Sequence, residues 1–377
     1  MSVAILGVGQ TPFTGANAIS LTALGAEASR QAAQDAGIDL GDIEVVIASS
    51  AFEHPGVGQR VMLGLGLNGR PLVNLENACA SSTSAVVEGV RWIESGAADV
   101  VLIVGVEKMA TRFSKGPLEL VDTGDPFGAQ GVTVPALFGL LAEMHMHEHG
   151  STREDFARIA LKNRTYAAHN PYARFRKPPS LEEVLAQPMI ATPIGKLDCC
   201  ANGDGAAACI LASEAAVRRF GGKRAIWIRA AEVGGGVLGD RLFDDPMTGL
   251  SQRAYERGGL GPTDIQVVEC HDNFSVGELE CYERLGFSAE GEGHHFLRAG
   301  RSKIGGDVAF NPSGGLLGRS HPAGATGCAQ VASVVSQLRG EAGPVQQKGA
   351  KAALVQTSGG GVMELQSNAT SVLIVSV

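Results

Sequence analysis

Three residues of this chain have side chains that do covalent or proton-transfer chemistry and sit where the backbone can aim them. Cys79 lies in Asn77-Ala78-Cys79-Ala80-Ser81-Ser82-Thr83-Ser84-Ala85, between an extended apolar segment at 71–75 and a run at 86–93 with helical spacing. A cysteine at a strand-to-helix junction meets the positive end of the helix dipole, which predicts a lowered thiol pKa and a nucleophile. The competing reading is a buried cysteine filling a tight packing point. His271 opens His271-Asp272-Asn273-Phe274-Ser275 after a strand at 265–270, the strand end at which α/β sheets bind ligands. It suits an oxyanion donor or a base, and equally a satisfied structural histidine. His321 stands in a glycine-rich loop at 311–327 with two prolines, just before a helix expected at 328–338. Such a loop costs entropy and adds little to a core, so His321 is the general-base candidate. A strand at 352–356 runs into Thr357-Ser358-Gly359-Gly360-Gly361. Consecutive glycines there can present N–H groups to an oxyanion, a tight turn being the rival.

The elements that must position these residues alternate between strand and helix. Residues 3–8, 43–48 and 100–105 read as buried strands, and 21–36 as a helix with Ser20 as N-cap and Gly37 as stop. That alternation predicts a mainly parallel sheet covered on both faces. From 110 to 193 charges, histidines and prolines become frequent, with a polar-faced helix at 154–168, the pattern of an inserted loop domain. The strands resume at 206–211 and 226–233. Residues 37–46 and 259–268 align without a gap on Gly, Asp, Ile, Val and Val. An internal duplication follows, with halves at 1–220 and 221–377 whose loops converge on one site.

Composition bounds the rest. The chain has 377 residues, about two domains' worth, with 44% hydrophobic and 19% charged residues, as in a globular protein. A net charge of -8 without a basic block speaks against a nucleic-acid partner. Seven irregularly spaced cysteines without a CxxC pair speak against a disulfide framework or a zinc ribbon. The N-terminus lacks the form of a signal peptide, and the apolar run at 100–106 is too short to span a bilayer. The C-terminus carries no peroxisomal or prenylation signal, so no membrane attachment and a cytoplasmic location are expected. Gly64-Leu65-Gly66-Leu67-Asn68-Gly69 matches G-x-G-x-x-G, but a strand follows it, which fails the dinucleotide context. His145, His147 and His149, with Glu143 and Glu148, lack a fourth ligand, so a solvated or pocket-lining face is expected and no metal. Arg174, Arg176 and Lys177 are either a basic surface patch or contacts for phosphates. Cys199 and Cys200 are expected to pack near the sheet. The sequon Asn368-Ala369-Thr370 has no meaning in the cytoplasm.

Taken together, these motifs resemble the thiolase superfamily. Asn-x-Cys-Ala-Ser before a helix, His-Asp-x-Phe-Ser, Asn-Pro-Ser-Gly-Gly with Gly-x-x-His-Pro-x-Gly-Ala-Thr-Gly, and the terminal glycines occur in that family's order. The likeness runs the length of the chain and is strongest to sterol-carrier-protein-type thiolases and bacterial thiolase-like acyltransferase subunits. It implies an α/β fold of duplicated halves in a five-layered αβαβα sandwich with an inserted loop domain. It also implies an acyl-CoA substrate, coenzyme A as co-substrate rather than a tightly bound cofactor, and a homodimer. Cys79 would take up the acyl group and His321 activate it, while His271 holds the thioester oxygen. The N–H groups of Cys79 and Gly359 would form a second oxyanion hole, and Arg174, Arg176 and Lys177 would meet coenzyme A. The family's second acid/base cysteine is missing, because its two usual positions hold Thr357 and Asn273. Asn273 can hydrogen-bond but cannot act as a base at neutral pH. That departure resembles thiolase-like chains that work with a small OB-fold, zinc-binding partner. It keeps open a carbon–carbon lyase (retro-aldolase), transfer to a non-CoA acceptor, and a non-catalytic acyl-CoA-binding scaffold.

Overall fold

Apolar residues on both faces of a strand demand cover on both sides, and the chain meets that demand by stacking helices and sheet in five layers. The computed structural model describes residues 2–114, 129–236, 246–360 and 369–377. Strands β1 (Val3–Gln10), β2 (Val45–Ser49), β3 (Leu72–Leu75), β4 (Val100–Lys108) and β7 (Asp204–Ser213) form the first half of the sheet. Strands β8 (Ile226–Gly235), β9 (Val267–Glu269), β10 (Ala309–Phe310), β11 (Ala352–Ser358) and β12 (Ala369–Ser376) form the second. A small hairpin, β5 (Met189–Ala191) with β6 (Ile194–Gly195), stands apart. The order β3-β2-β4-β7-β1 is mirrored by β8-β12-β11-β9-β10, and the halves join where Val3–Ile5 pair with Ile226–Ile228.

The principal helices are α1 (Leu21–Ala36), α2 (Val57–Leu65), α3 (Ser81–Glu94), α4 (Val134–His149), α5 (Arg153–Ala167), α6 (Met247–Gly258), α7 (Ser275–Arg284) and α8 (Ala323–Leu338). Helices α3 and α8 lie between the two half-sheets. Val86, Val90 and Ile93 of α3 share one core with Val331, Val334 and Val335 of α8, Ile103 and Leu211 of the first half, and Val355 and Leu373 of the second. Helices α1 and α2 cover the outer face of the first half-sheet, and α6 and α7 that of the second.

The duplication expected from the aligned segments is present in detail. Gly37 and Gly259 both end a helix in the left-handed conformation, at φ 69 and 63. A short 3-10 turn follows each, at Leu40–Asp42 and Pro262–Asp264, and then β2 or β9 begins. Between β4 and β7 the chain leaves the sheet, and α4 and α5 pack against the second half through Ala142, Phe156 and Ile159. The metal-like trio is split by this packing. His145 is buried, with Nδ1 2.8 Å from Ser151 Oγ and Nε2 3.0 Å from Glu283 Oε1, while His147 and His149 are exposed. Among the described residues, no helix is long and apolar enough to cross a membrane.

Candidate active site

Both central helices begin at the same place, and the chemistry gathers there. Cys328 N–H donates to Ser82 Oγ at 3.1 Å, which ties the second turn of α8 to the first turn of α3. Helix α8 starts at Ala323, directly after Pro322 and five residues before the start expected from sequence. Gly324 and Gly327, which suggest loop, lie inside the helix because other chain segments press on them. A Cβ at Gly324 would come within 2.4 Å of Ser50 Cα, and one at Gly327 within 2.5 Å of Thr83 Cγ2.

Cys79 Sγ and one ring nitrogen from each of His271 and His321 lie within 4.8 Å of one another. Cys79 Sγ is 3.0 Å from His321 Nε2. The other ring nitrogen, Nδ1, is 2.8 Å from Thr326 Oγ1, whose own proton goes to the Pro322 carbonyl at 3.1 Å. A hydroxyl donating there must accept from His321, so the imidazole carries its proton on Nδ1. Nε2 is then a lone pair facing the thiol. The His271 ring stands 5.2 Å from the His321 ring, centroid to centroid. Its backbone N–H donates to Gln356 Oε1 at 3.1 Å, and its Nδ1 has no partner among the described residues.

The loops that carry these groups are strained and cross-braced. Among the described residues, three non-glycine residues have positive φ: Ala78 at 47, Asn311 at 49 and Ser320 at 78. Two of them directly precede Cys79 and His321, and the third opens the His321 loop. Such backbone persists only where surrounding structure holds it. Asn77 supplies part of that hold, with its N–H on Ser81 Oγ at 2.9 Å and its amide on Ser84 Oγ at 3.0 Å. Asp272 links the two histidine loops by accepting from Leu316 N–H at 2.7 Å and Leu317 N–H at 3.3 Å. Asn311 Oδ1 accepts from Cys270 N–H at 2.9 Å.

Electrostatics reverse one expectation. Burial, with Glu107 next, pushes the Cys79 thiol up to about 12. Helix α3 begins at Ser81, so Cys79 lies ahead of its cap, and only the N–H groups of Gly360 and of Cys79 itself pull the other way. Burial also brings His271 down to about 4 and holds His321 well below its usual value, so both imidazoles are neutral near pH 7. Glu107 is a site residue that sequence reading missed. This buried carboxylate of β4 accepts from Ala51 N–H at 2.7 Å, Gly324 N–H at 3.0 Å and Phe52 N–H at 3.3 Å. Burial raises it to about 7.

The remaining expected residues are placed as follows. Gly359 N–H is committed to the Ala369 carbonyl at 2.6 Å, so the glycine donor at the sulfur is Gly360 instead. Gly359 must still be glycine, since a Cβ would stand 2.6 Å from the Asn77 carbonyl oxygen. Gly361 and Asn368 lie outside the described residues. Asn273 is half-buried, and its Oδ1 accepts from Phe274 N–H at 3.0 Å at the start of α7. The Thr357 hydroxyl bonds Thr83 Oγ1, and Ser371 Oγ at 2.8 Å. Arg174 donates to the Asn202 carbonyl at 2.8 Å, and its neighbour Phe175 donates N–H to Gly318 O at 3.1 Å. Arg176 and Lys177 are exposed beside them. Cys199 packs against the core of the second half-sheet, as expected. Cys199 bridges to Phe274 and Cys200 N–H donates to Asn273 O at 2.8 Å, in the loop ahead of β7.

A thiol and two neutral imidazoles at the seam of two repeated α/β halves form a site suited to covalent attack on a carbonyl. Residues 3–215 match the thiolase N-terminal domain and 241–374 the thiolase C-terminal domain-like family, and the chain belongs to the thiolase family. Sterol carrier protein 2 of Bos taurus is 37% identical, over 95% of this chain and 70% of its own length. The benzoylsuccinyl-CoA thiolase subunit BbsB of Thauera aromatica is 34% identical over 95% of both chains. Among solved structures, an Ltp2-ChsH2(DUF35) aldolase superposes at a TM-score of 0.86 with 26% identity, covering 100% of this chain and 98% of that one.

Proposed function

We propose that this protein is a thiolase-type acyltransferase that cleaves a 3-oxoacyl-CoA with coenzyme A, or forms one in reverse, through an acyl group on Cys79. The 3.0 Å approach of Cys79 Sγ to the unprotonated Nε2 of His321 carries this reading. His321 takes the thiol proton as the sulfur attacks the 3-oxo carbon. The N–H groups of Cys79 and Gly360 face the sulfur and suit the alkoxide that forms beside it. The bond between C2 and C3 breaks, and the enolate is held by neutral His271 and by the imidazolium that His321 has become. Coenzyme A then removes the acyl group, a ping-pong course. Arg174 borders the His321 loop through its N–H on the Arg319 carbonyl at 3.3 Å, and it is assigned with its exposed neighbours Arg176 and Lys177 to the phosphates of coenzyme A. Location in the cytoplasm and a homodimer are part of the proposal. So is a small OB-fold, zinc-binding partner, supported by the two-component aldolase and by BbsB being a subunit.

Cys79→Ala is expected to abolish the acyl-enzyme seen by intact-protein mass after incubation with an acyl-CoA. Labelling of that variant at full stoichiometry would sink the assignment. The likeness to the aldolase, with no thiol at 273 or 357, favours a retro-aldol lyase as the second reading. Cleavage of a β-hydroxyacyl-CoA that survives Cys79→Ser would select it.

A further inference from the structure

The acyl-transfer reading needs a group that gives and takes the proton on the α-carbon, and the obvious candidates are unsuited. His321 is engaged with Cys79. Asn273 is no base. Thr357 is tied to Thr83 and Ser371. His271 is a poor base, because burial brings it down to about 4.

We infer that Cys200 is the catalytic acid and base at the α-carbon, a role this chain has moved from its two usual positions to the loop ahead of β7. The inference rests on the acyl-transfer reading above. The segment 199–203 is clamped between the two histidine loops. On one side Cys199 bridges to Phe274, and Cys200 N–H donates to Asn273 O at 2.8 Å. On the other, Ala201 O accepts from His321 N–H at 2.8 Å, Asn202 pairs with His321, and Gly203 N–H reaches His321 O at 3.3 Å. Asp198 anchors the segment from behind through Arg153 at 2.7 Å, Gly195 N–H at 2.9 Å and Ser275 Oγ at 3.2 Å.

After burial, the largest influence on the Cys200 thiol is Cys79, ahead of Cys199 and Asp272. Cys200 thus lies within electrostatic reach of Cys79, on a segment whose backbone is bonded to both histidine loops. Both effects raise the thiol, so Cys200 rests protonated, as an acid must. The other thiols are placed elsewhere. Cys199 donates to Gly195 O at 3.3 Å, Cys209 and Cys328 are in the central core, and Cys270 and Cys281 are in an outer one.

Protons and electrons balance as follows. His321 takes the Cys79 proton, and the thiolate adds to C3. When the C2–C3 bond breaks, its electron pair goes to C2 and the thioester oxygen as an enolate. Cys200 gives its proton to C2 and is left as a thiolate. It takes the proton of the incoming coenzyme A thiol, whose sulfur then attacks the acyl carbon. Cys79 leaves as a thiolate and recovers its proton from the His321 imidazolium.

Acetyl-CoA in D2O separates the two half-reactions, because acyl uptake is read by intact mass and α-carbon exchange by deuterium in the acetyl group. Cys200→Ala is expected to keep acetyl labelling of Cys79 while losing exchange about 100- to 10,000-fold. Cys200→Ser, close in shape but far weaker as an acid, should not restore it. Native-rate exchange in Cys200→Ala, rescue by Cys200→Ser, or loss of labelling in both variants would overturn the assignment. A native protein that takes no acetyl group at all would overturn the acyl-transfer reading itself, and the Cys200 assignment with it.

Discussion

At the residue scale, the nucleophile is kept protonated until its base is needed. The helix dipole falls off within the first turn, and Cys79 precedes the cap of α3, so burial and the Glu107 carboxylate prevail. Glu107 carries its charge only above about pH 7. Its repulsion of a Cys79 thiolate should therefore be felt mainly above that pH. Glu107→Gln is expected to lower the Cys79 pKa and speed its alkylation at pH 8, on the order of tenfold for one pKa unit. An alkylation–pH profile identical to the native one would refute that role.

At the scale of elements, the site depends on how closely α8 can approach β4. A Cβ on Gly105 would stand 2.2 Å from the Gly324 carbonyl oxygen, and one on Gly324 2.9 Å from Glu107 Oε2. Gly324→Ala would push the first turn of α8 outward and carry His321 with it. Overpacking of this kind costs about 1–3 kcal/mol. The urea midpoint and the rate of Cys79 acylation should both fall. A variant with a native midpoint and native acylation would show that the contact gives way without consequence. The same close contacts explain why the glycines of 311–327 suggest a loop in sequence yet partly lie in a helix. They serve proximity rather than flexibility.

At the scale of the molecule, burying the site links stability to pH with two opposite signs. His271 titrates near 4 when folded and near 6.5 ordinarily. The unfolded chain therefore binds the extra proton between those values, and stability is lost as pH falls through that window. A shift of that size corresponds to about 3 kcal/mol. Glu107, raised from 4.5 to about 7, acts the other way, with stability lost as pH rises through its window. His321, lowered for the same reason as His271, adds to the first side. The unfolding free energy in urea of the native protein, taken relative to that of His271→Gln so that the carboxylates cancel, is therefore expected to rise between about pH 4.5 and 6.5. A difference that stays flat or falls over that range would show that His271 is not buried as a neutral group.

The sequence by itself determined the alternation of strand and helix, because apolar periodicity is local. It also exposed the duplication, since Gly37 and Gly259 must end helices in the same conformation. It singled out Cys79 and His271 by their places after a strand, and His321 by a glycine-rich loop that adds little to a core. Only the tertiary structure decided which N–H faces the sulfur, since Gly359 is claimed by Ala369 from a distant strand and Gly360 is left free for it. Only it reversed the expected shift of the Cys79 pKa, because desolvation and Glu107 act across the fold rather than along the chain. It alone brought Cys200 between the histidine loops, since 121 residues separate it from Cys79 in sequence and no local pattern reports that distance in space.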